Sequence, residues 1–162
     1  MKRSVALIGF MGAGKSTVGP LVARGRGVPF VDLDDLISEQ SGQPTGETLS
    51  DWGEARFRAV EADLLDTIGQ GEACVVATGG GTPTTPAGRT ALGRFETIWL
   101  DVSFDRLVER VDGTGRPLWS GDVEGLYEAR REMYAAVAAR RVDANAAVDE
   151  VVAECLRGSA HG

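Results

Sequence analysis

The chain has 162 residues, 43% of them hydrophobic and 25% charged, with a formal net charge of −7. That length fits one domain, spanning 1–162, and leaves no room for a separate substrate domain. The acidic balance argues against nonspecific nucleic-acid binding, which relies on a basic surface.

Met1-Lys2-Arg3 leads straight into an apolar run over residues 4–8, read as a buried parallel strand. No run is long enough to span a bilayer and no signal peptide opens the chain, so neither membrane nor nucleic acid is an expected partner and the cytoplasm is the default location. The stretch Gly9-Phe10-Met11-Gly12-Ala13-Gly14-Lys15-Ser16-Thr17 follows. It fits G-x-x-x-x-G-K-[ST] and precedes a predicted helix over 15–24, the strand–loop–helix order that a phosphate-binding loop requires. Its glycines let successive N–H groups curl around phosphate oxygens. Lys15 supplies a compact positive charge, Ser16 a hydroxyl for Mg²⁺, and the helix its positive end.

A second strand, over 29–33, runs into Val31-Asp32-Leu33-Asp34-Asp35. While the chain stays extended, Asp32 and Asp34 project to one side. One can hold the hydration shell of Mg²⁺ while the other meets a substrate hydroxyl. The alternative is that Asp34 or Asp35 caps the next helix, the only role assigned to Asp35. Helices are predicted over 33–41 and 45–69, the latter broken near Gly53. Within it Glu54, Arg58 and Glu61 share a face, which spacing alone reads as a solvated salt-bridge stripe with Phe57 in the core.

The third strand, over 73–78, ends in Gly79-Gly80-Gly81, where backbone can approach a ligand closely. A flexible connector is the alternative. Cys74, in this strand, and Cys155, near the end, lack metal-ligand spacing and read as core residues. After a helix over 86–93, a fourth strand over 96–101 and a helix over 103–112, residues 112–122 form a Gly-rich loop with a central Arg116-Pro117. This is a candidate mobile lid whose arginine swings onto phosphate. Arg110 either stacks on a purine or complements its own helix end. Arg130 and Arg131 lie on a helix over 122–140, and periodicity does not say which faces the cleft. A weak strand over 141–143, a helix over 147–157 and a tail over about 157–162, expected to be disordered, complete the chain. Strands alternating with helices predict an α/β fold with a parallel sheet, ligands binding beyond its carboxyl edge. The only histidine, His161, lies in the tail, so any general base is a carboxylate.

The phosphate loop, Asp32-Leu33-Asp34, Gly53-Glu54 with Phe57-Arg58 and Glu61, Gly79-Gly80-Gly81, Arg116-Pro117-Leu118 and Arg130 with Tyr134 occur together and in order. In this the chain resembles shikimate kinases, to about residue 143. The resemblance implies a three-layer P-loop kinase fold, with a five-stranded parallel sheet in the order 2-3-1-4-5, an acceptor-binding segment over about 33–61 and a lid. It implies a monomer that transfers phosphate from ATP to the 3-hydroxyl of shikimate, with Mg²⁺ as cofactor, on the route to aromatic amino acids. It implies a nucleotide site of Gly12, Ala13, Gly14, Lys15, Ser16 and Thr17 with Arg110 and Arg116. Asp34, Arg58, Gly80 and Arg130 would bind shikimate, with Gly79 and Gly81 beside them. Phe57 would line its ring and Glu61 would hold Arg58. Ser16 and Asp32 would hold the metal, and Lys15, Asp34 and Arg116 would carry the chemistry. The chain departs from the usual pattern at Pro20 and Gly25, at Leu49, and at Ala146-Ala147-Val148, where an arginine and a proline are common. A kinase for another cyclic polyol acid of aminoshikimate type, or a catalytically silent nucleotide-binding regulator, are the competing readings.

Overall fold

The computed structural model describes residues 3–114 and 122–157. Five strands, β1 (Val5–Ile8), β2 (Phe30–Asp32), β3 (Val75–Ala77), β4 (Glu96–Asp101) and β5 (Arg140–Asp143), form one parallel sheet in the order β2-β3-β1-β4-β5. The centre is β1, in register with β3 through Val5 opposite Val75 and with β4 through Val5 opposite Glu96. All four β1 residues are fully buried, as continuous apolar runs in doubly covered parallel strands should be. Removing the Val5, Leu7 and Ile8 side chains from water contributes about 1.5–3 kcal/mol each.

Among the described residues eight helices flank the sheet: α1 (Lys15–Arg26), α2 (Leu33–Ser41), α3 (Thr45–Trp52), α4 (Glu54–Gln70), α5 (Pro86–Leu92), α6 (Phe104–Thr114), α7 (Val123–Val137) and α8 (Val148–Arg157). The break at Gly53 is present, the glycine taking φ +82° between α3 and α4. A short 3₁₀ turn, Thr82–Thr84, follows the glycines after β3, so that segment is built into the fold rather than a loose connector.

Several predicted boundaries move, and three of the shifts have a structural reason. Helix α1 passes through exposed Pro20 and continues to Arg26, because its small residues let neighbours come close. A Cβ at Gly19 would lie 2.2 Å from the Phe30 ring, and one at Gly25 would lie 2.6 Å from Leu156 of α8. The glycine at 25 is thus a packing residue. Helix α7 stops at Val137, three residues early, where Ala138 turns extended and the Ala139 N–H donates to the Thr97 carbonyl of β4. Sheet pairing outweighs helix propensity there. Strand β2 ends at Asp32, and Leu33 already opens α2.

Candidate active site

The β2 boundary changes the account of the acidic pair. Asp34 stands on the first turn of α2, not on an extended strand, so strand alternation is not what brings it beside Asp32. Nor does Asp34 or Asp35 cap that helix. Asp32 does, its Oδ1 accepting from the Asp34 N–H at 3.0 Å and the Asp35 N–H at 3.3 Å. The cap fixes the carboxylate so that Oδ2 accepts from the Ser16 hydroxyl at 2.8 Å.

A cleft of about 540 Å³ opens beyond the carboxyl ends of β1, β2 and β3. Gly12, Ala13, Gly14, Lys15, Ser16 and Thr17 form one wall, with Gly12 and Gly14 at φ +89° and +101°, backbone that side-chain-bearing residues rarely adopt. The buried Lys15 ammonium donates to the carbonyls of Gly9 and, at 3.1 Å, Phe10. Burial lowers its pKa to about 8, against the opposing pull of Asp34 and Asp32. Arg110, in the body of α6, donates to the Gly12 carbonyl at 2.8 Å and to that of Ala144 at 3.4 Å. It therefore braces the loop instead of complementing its own helix end. Beyond it the cleft is walled by Ala144, Ala146, Val148 and Val151. Asn145 is held away from the cleft's chemistry by Ser103, Arg106 and Asp143.

At the other end the open cleft stops at Asp34, Thr78, Gly79 and Gly80. Burial raises the Asp34 pKa, and neighbouring Asp32 adds to the rise while Lys15 and Arg58 oppose it. Phe57, Arg58, Glu61, Gly81 and Arg130 are not on the cleft wall; of these, Glu61, Arg130 and Arg58 pack against Gly79, Gly80 and Gly81 respectively. A Cβ at Gly79 would meet Glu61 Oε2 at 2.7 Å, one at Gly80 would approach Arg130 Nη1 at 3.7 Å, and one at Gly81 would overlap Arg58 Nη2 at 2.2 Å. Arg58 donates to Glu61 Oε1 at 3.0 Å, and its guanidinium lies 5.2 Å from the Phe57 ring centre. Glu61 is only 1% exposed, so this is a buried pair and not a solvated stripe. Only Glu54, 3.9 Å from Arg58 Nε, keeps the solvated character that spacing suggested. Burial pushes the Glu61 pKa up, while Arg58 draws it back.

The adjacent arginines of α7 separate as helical geometry requires. Arg130 faces Gly80 and Lys15, whereas Arg131 is bound to Asp101 and the Tyr127 hydroxyl and lies over Trp99. Of the remaining candidates, Arg116 and the core of the lid over about 112–122 lie outside the described residues. One feature escaped the sequence: Thr78 on the cleft wall, its hydroxyl on the Leu7 carbonyl, carried no signal. Tyr134, which the resemblance named beside Arg130 without a role, donates to the Gly80 carbonyl.

Comparison with known proteins supports the same identity. The family model for shikimate kinase matches residues 11–159. A shikimate kinase of Synechococcus sp. (strain RCC307) is 43% identical over 135 residues, covering 79% of this chain and 69% of that protein. The crystal structure of shikimate kinase from Aquifex aeolicus superposes with a TM-score of 0.82 at 34% identity, covering 98% of this chain and 99% of that one. The Acinetobacter baumannii enzyme in complex with shikimate gives 0.88 at 28% identity, covering 97% and 92%. With its phosphate loop, its five-stranded order and its carboxylate–arginine end all in place, the chain belongs to the shikimate kinase family.

Proposed function

We propose that the chain transfers the γ-phosphoryl group of ATP to the 3-hydroxyl of shikimate, acting as a monomer on small molecules. The observation that carries this reading is the meeting of two chemistries at Asp34. A phosphate-binding loop runs up to it from one side and a buried arginine–carboxylate cluster from the other. Among the described residues no helix is long and apolar enough to cross a membrane.

In this reading the N–H groups of residues 12–17 and the start of α1 bind the ATP phosphates. Lys15 exchanges its carbonyl partners for β- and γ-phosphate oxygens, and its charge stabilises the transferring group. Arg110 and the apolar wall from Ala146 to Val151 take the base. Arg58 and Arg130 clamp the shikimate carboxylate, with Glu61 holding Arg58 and Phe57 beneath it. Gly79, Gly80 and Gly81 keep that side of the acceptor clear. Asp34, whose raised pKa brings it closer to a hydroxyl's needs, orients the 3-hydroxyl and accepts its proton. Arg116 completes the charge around the moving phosphoryl group.

The donor set fits Mg²⁺: one hydroxyl and one carboxylate, both hard oxygen ligands, at the mouth of the phosphate loop. Ser16 would hold the ion directly and Asp32 through water, and when bound it neutralises charge on the β- and γ-phosphates.

The test is ADP release with ATP and Mg²⁺, comparing shikimate with quinate, aminoshikimate and gluconate. Turnover on shikimate that stops on chelating Mg²⁺ is expected. Preference for another acid would redraw the acceptor end, and no turnover in protein that binds ATP would overturn the kinase reading.

A further inference from the structure

Tyr134 has no part in the mechanism above, yet its phenol lies where three segments of the site converge. Its side chain is 1% exposed, with the ring against Trp99 at 6.0 Å between centres. Its hydroxyl donates to the Gly80 carbonyl at 2.7 Å, linking α7 to the loop after β3 across 54 residues of sequence. The position a Cβ would occupy on Gly80 lies 3.7 Å from this hydroxyl, 3.7 Å from Arg130 Nη1 and 3.6 Å from the Met11 backbone nitrogen of the phosphate loop. Arg130 and Tyr134 stand four residues apart on one helix, hence on one face, and both polar ends come to the same side of Gly80.

We propose that Tyr134 is a positioning residue for the acceptor: its hydroxyl, bonded to the Gly80 carbonyl on the side where Arg130 approaches, keeps the glycine backbone and the guanidinium in register. Fixing the Gly80 carbonyl also fixes the N–H of Gly81, because a trans planar peptide points the two in opposite directions. The phenol O–H donates to the carbonyl while its oxygen stays on the side of the cation, an arrangement that phenylalanine cannot make. A buried ring alone would be satisfied by phenylalanine, so the hydroxyl is the part that bears on function. Burial holds the phenol neutral, its pKa pushed up to about 12, and it stays a donor across the working pH range.

The proposal rests on the acceptor assignment above, and the experiment separates the two. Tyr134→Phe in the full chain keeps the ring and removes one oxygen. With whichever acid the wild-type enzyme phosphorylates, its KM is expected to rise about tenfold, the scale of leaving a buried acceptor without its donor. The KM and Kd for ATP should stay within about twofold and the thermal midpoint near that of wild type. Arg130→Ala supplies the second measurement. Because Tyr134 acts through Arg130, adding Tyr134→Phe to it should raise the acceptor KM much less than the single change does. An unchanged acceptor KM in Tyr134→Phe, a parallel loss for ATP and acceptor, or full additivity in the double variant overturns the proposal. Failure of the acceptor panel in the wild-type enzyme overturns the proposed function instead.

Discussion

The two ends of the cleft are built in different ways. The phosphate wall of the nucleotide end is one contiguous stretch of loop and helix start, in which backbone N–H groups form the cradle and Lys15 and Ser16 add side-chain chemistry in the proposed reading. The acceptor end is assembled from four separate segments. Asp34 comes from α2, Arg58 and Glu61 from α4, the three glycines from the loop after β3, and Arg130 from α7. A backbone cradle fails when the charge at its centre is lost. A side-chain cluster fails when spacing is lost, even with every charge in place. Each end should therefore be breakable without the other.

The largest effect is expected at Lys15. Lys15→Met removes the only ammonium at the phosphate wall and should lower kcat by about a thousandfold or more, the scale of deleting a preorganised transition-state donor. Calorimetric titration of shikimate into the same variant should still give near-wild-type affinity. If shikimate binding fell as well, the ends would not be independent.

A smaller and more selective break is available at Gly81. The methyl group of Gly81→Ala would lie 2.2 Å from Arg58 Nη2 and 2.4 Å from Cζ, so the guanidinium must move while its charge is kept. Arg58 is also tied to buried Glu61, which leaves it little freedom to move without losing that bond. Displacing a positioning group by about 1 Å can cost up to about a hundredfold. The KM for shikimate is expected to rise between about tenfold and a hundredfold, with the KM for ATP unchanged. Steady-state kinetics on both substrates would check it, and equal changes in the two constants would refute the spacing argument.

The same contrast governs how much the sequence disclosed. Strand β1, the phosphate loop and the start of α1 were legible because each is a local pattern: an apolar run, glycines at fixed offsets, and a lysine beside a hydroxyl. The break at Gly53 was legible for the same reason. Asp32 and Asp34 were found, but for a geometric reason that does not hold, since the helix begins one residue after Asp32 and turns the second carboxylate by capping. Arg58 looked like half of a surface pair because spacing along a helix says nothing about what covers the face. Burial of Glu61 under the Gly79 backbone is a tertiary fact. Likewise only the position of Asp101 on β4 decides that Arg131 turns to the sheet and leaves Arg130 beside Gly80. The family resemblance singled out Arg130 where periodicity did not, by matching a pattern that carries tertiary information.

The smallest predicted effect separates the ends by pH. Burial lowers the Lys15 pKa from 10.5 to about 8 in the ligand-free protein, so the charge that grips phosphate is lost as pH rises through about 8. The kcat/KM for ATP reports the free enzyme and should fall about tenfold between pH 7 and pH 9. Bound phosphates favour the ammonium and raise its pKa again, so kcat at saturating ATP should stay nearly flat over the same range. Folding stability responds with the opposite sign. Between about 8 and 10.5 the unfolded chain holds a proton on this lysine that the folded protein has released, so the contribution of Lys15 to stability increases with pH across that window. Nucleotide capture that weakens as the Lys15 contribution to stability grows is a pairing that general alkaline unfolding does not produce. Lys15→Arg keeps a charge that does not titrate there and should abolish the alkaline limb in kcat/KM for ATP, whatever it does to the absolute rate. If the limb persisted in that variant, the titrating group would lie elsewhere, and the distinction between a backbone cradle with one vulnerable charge and a many-membered acceptor cluster would lose its main electrostatic support.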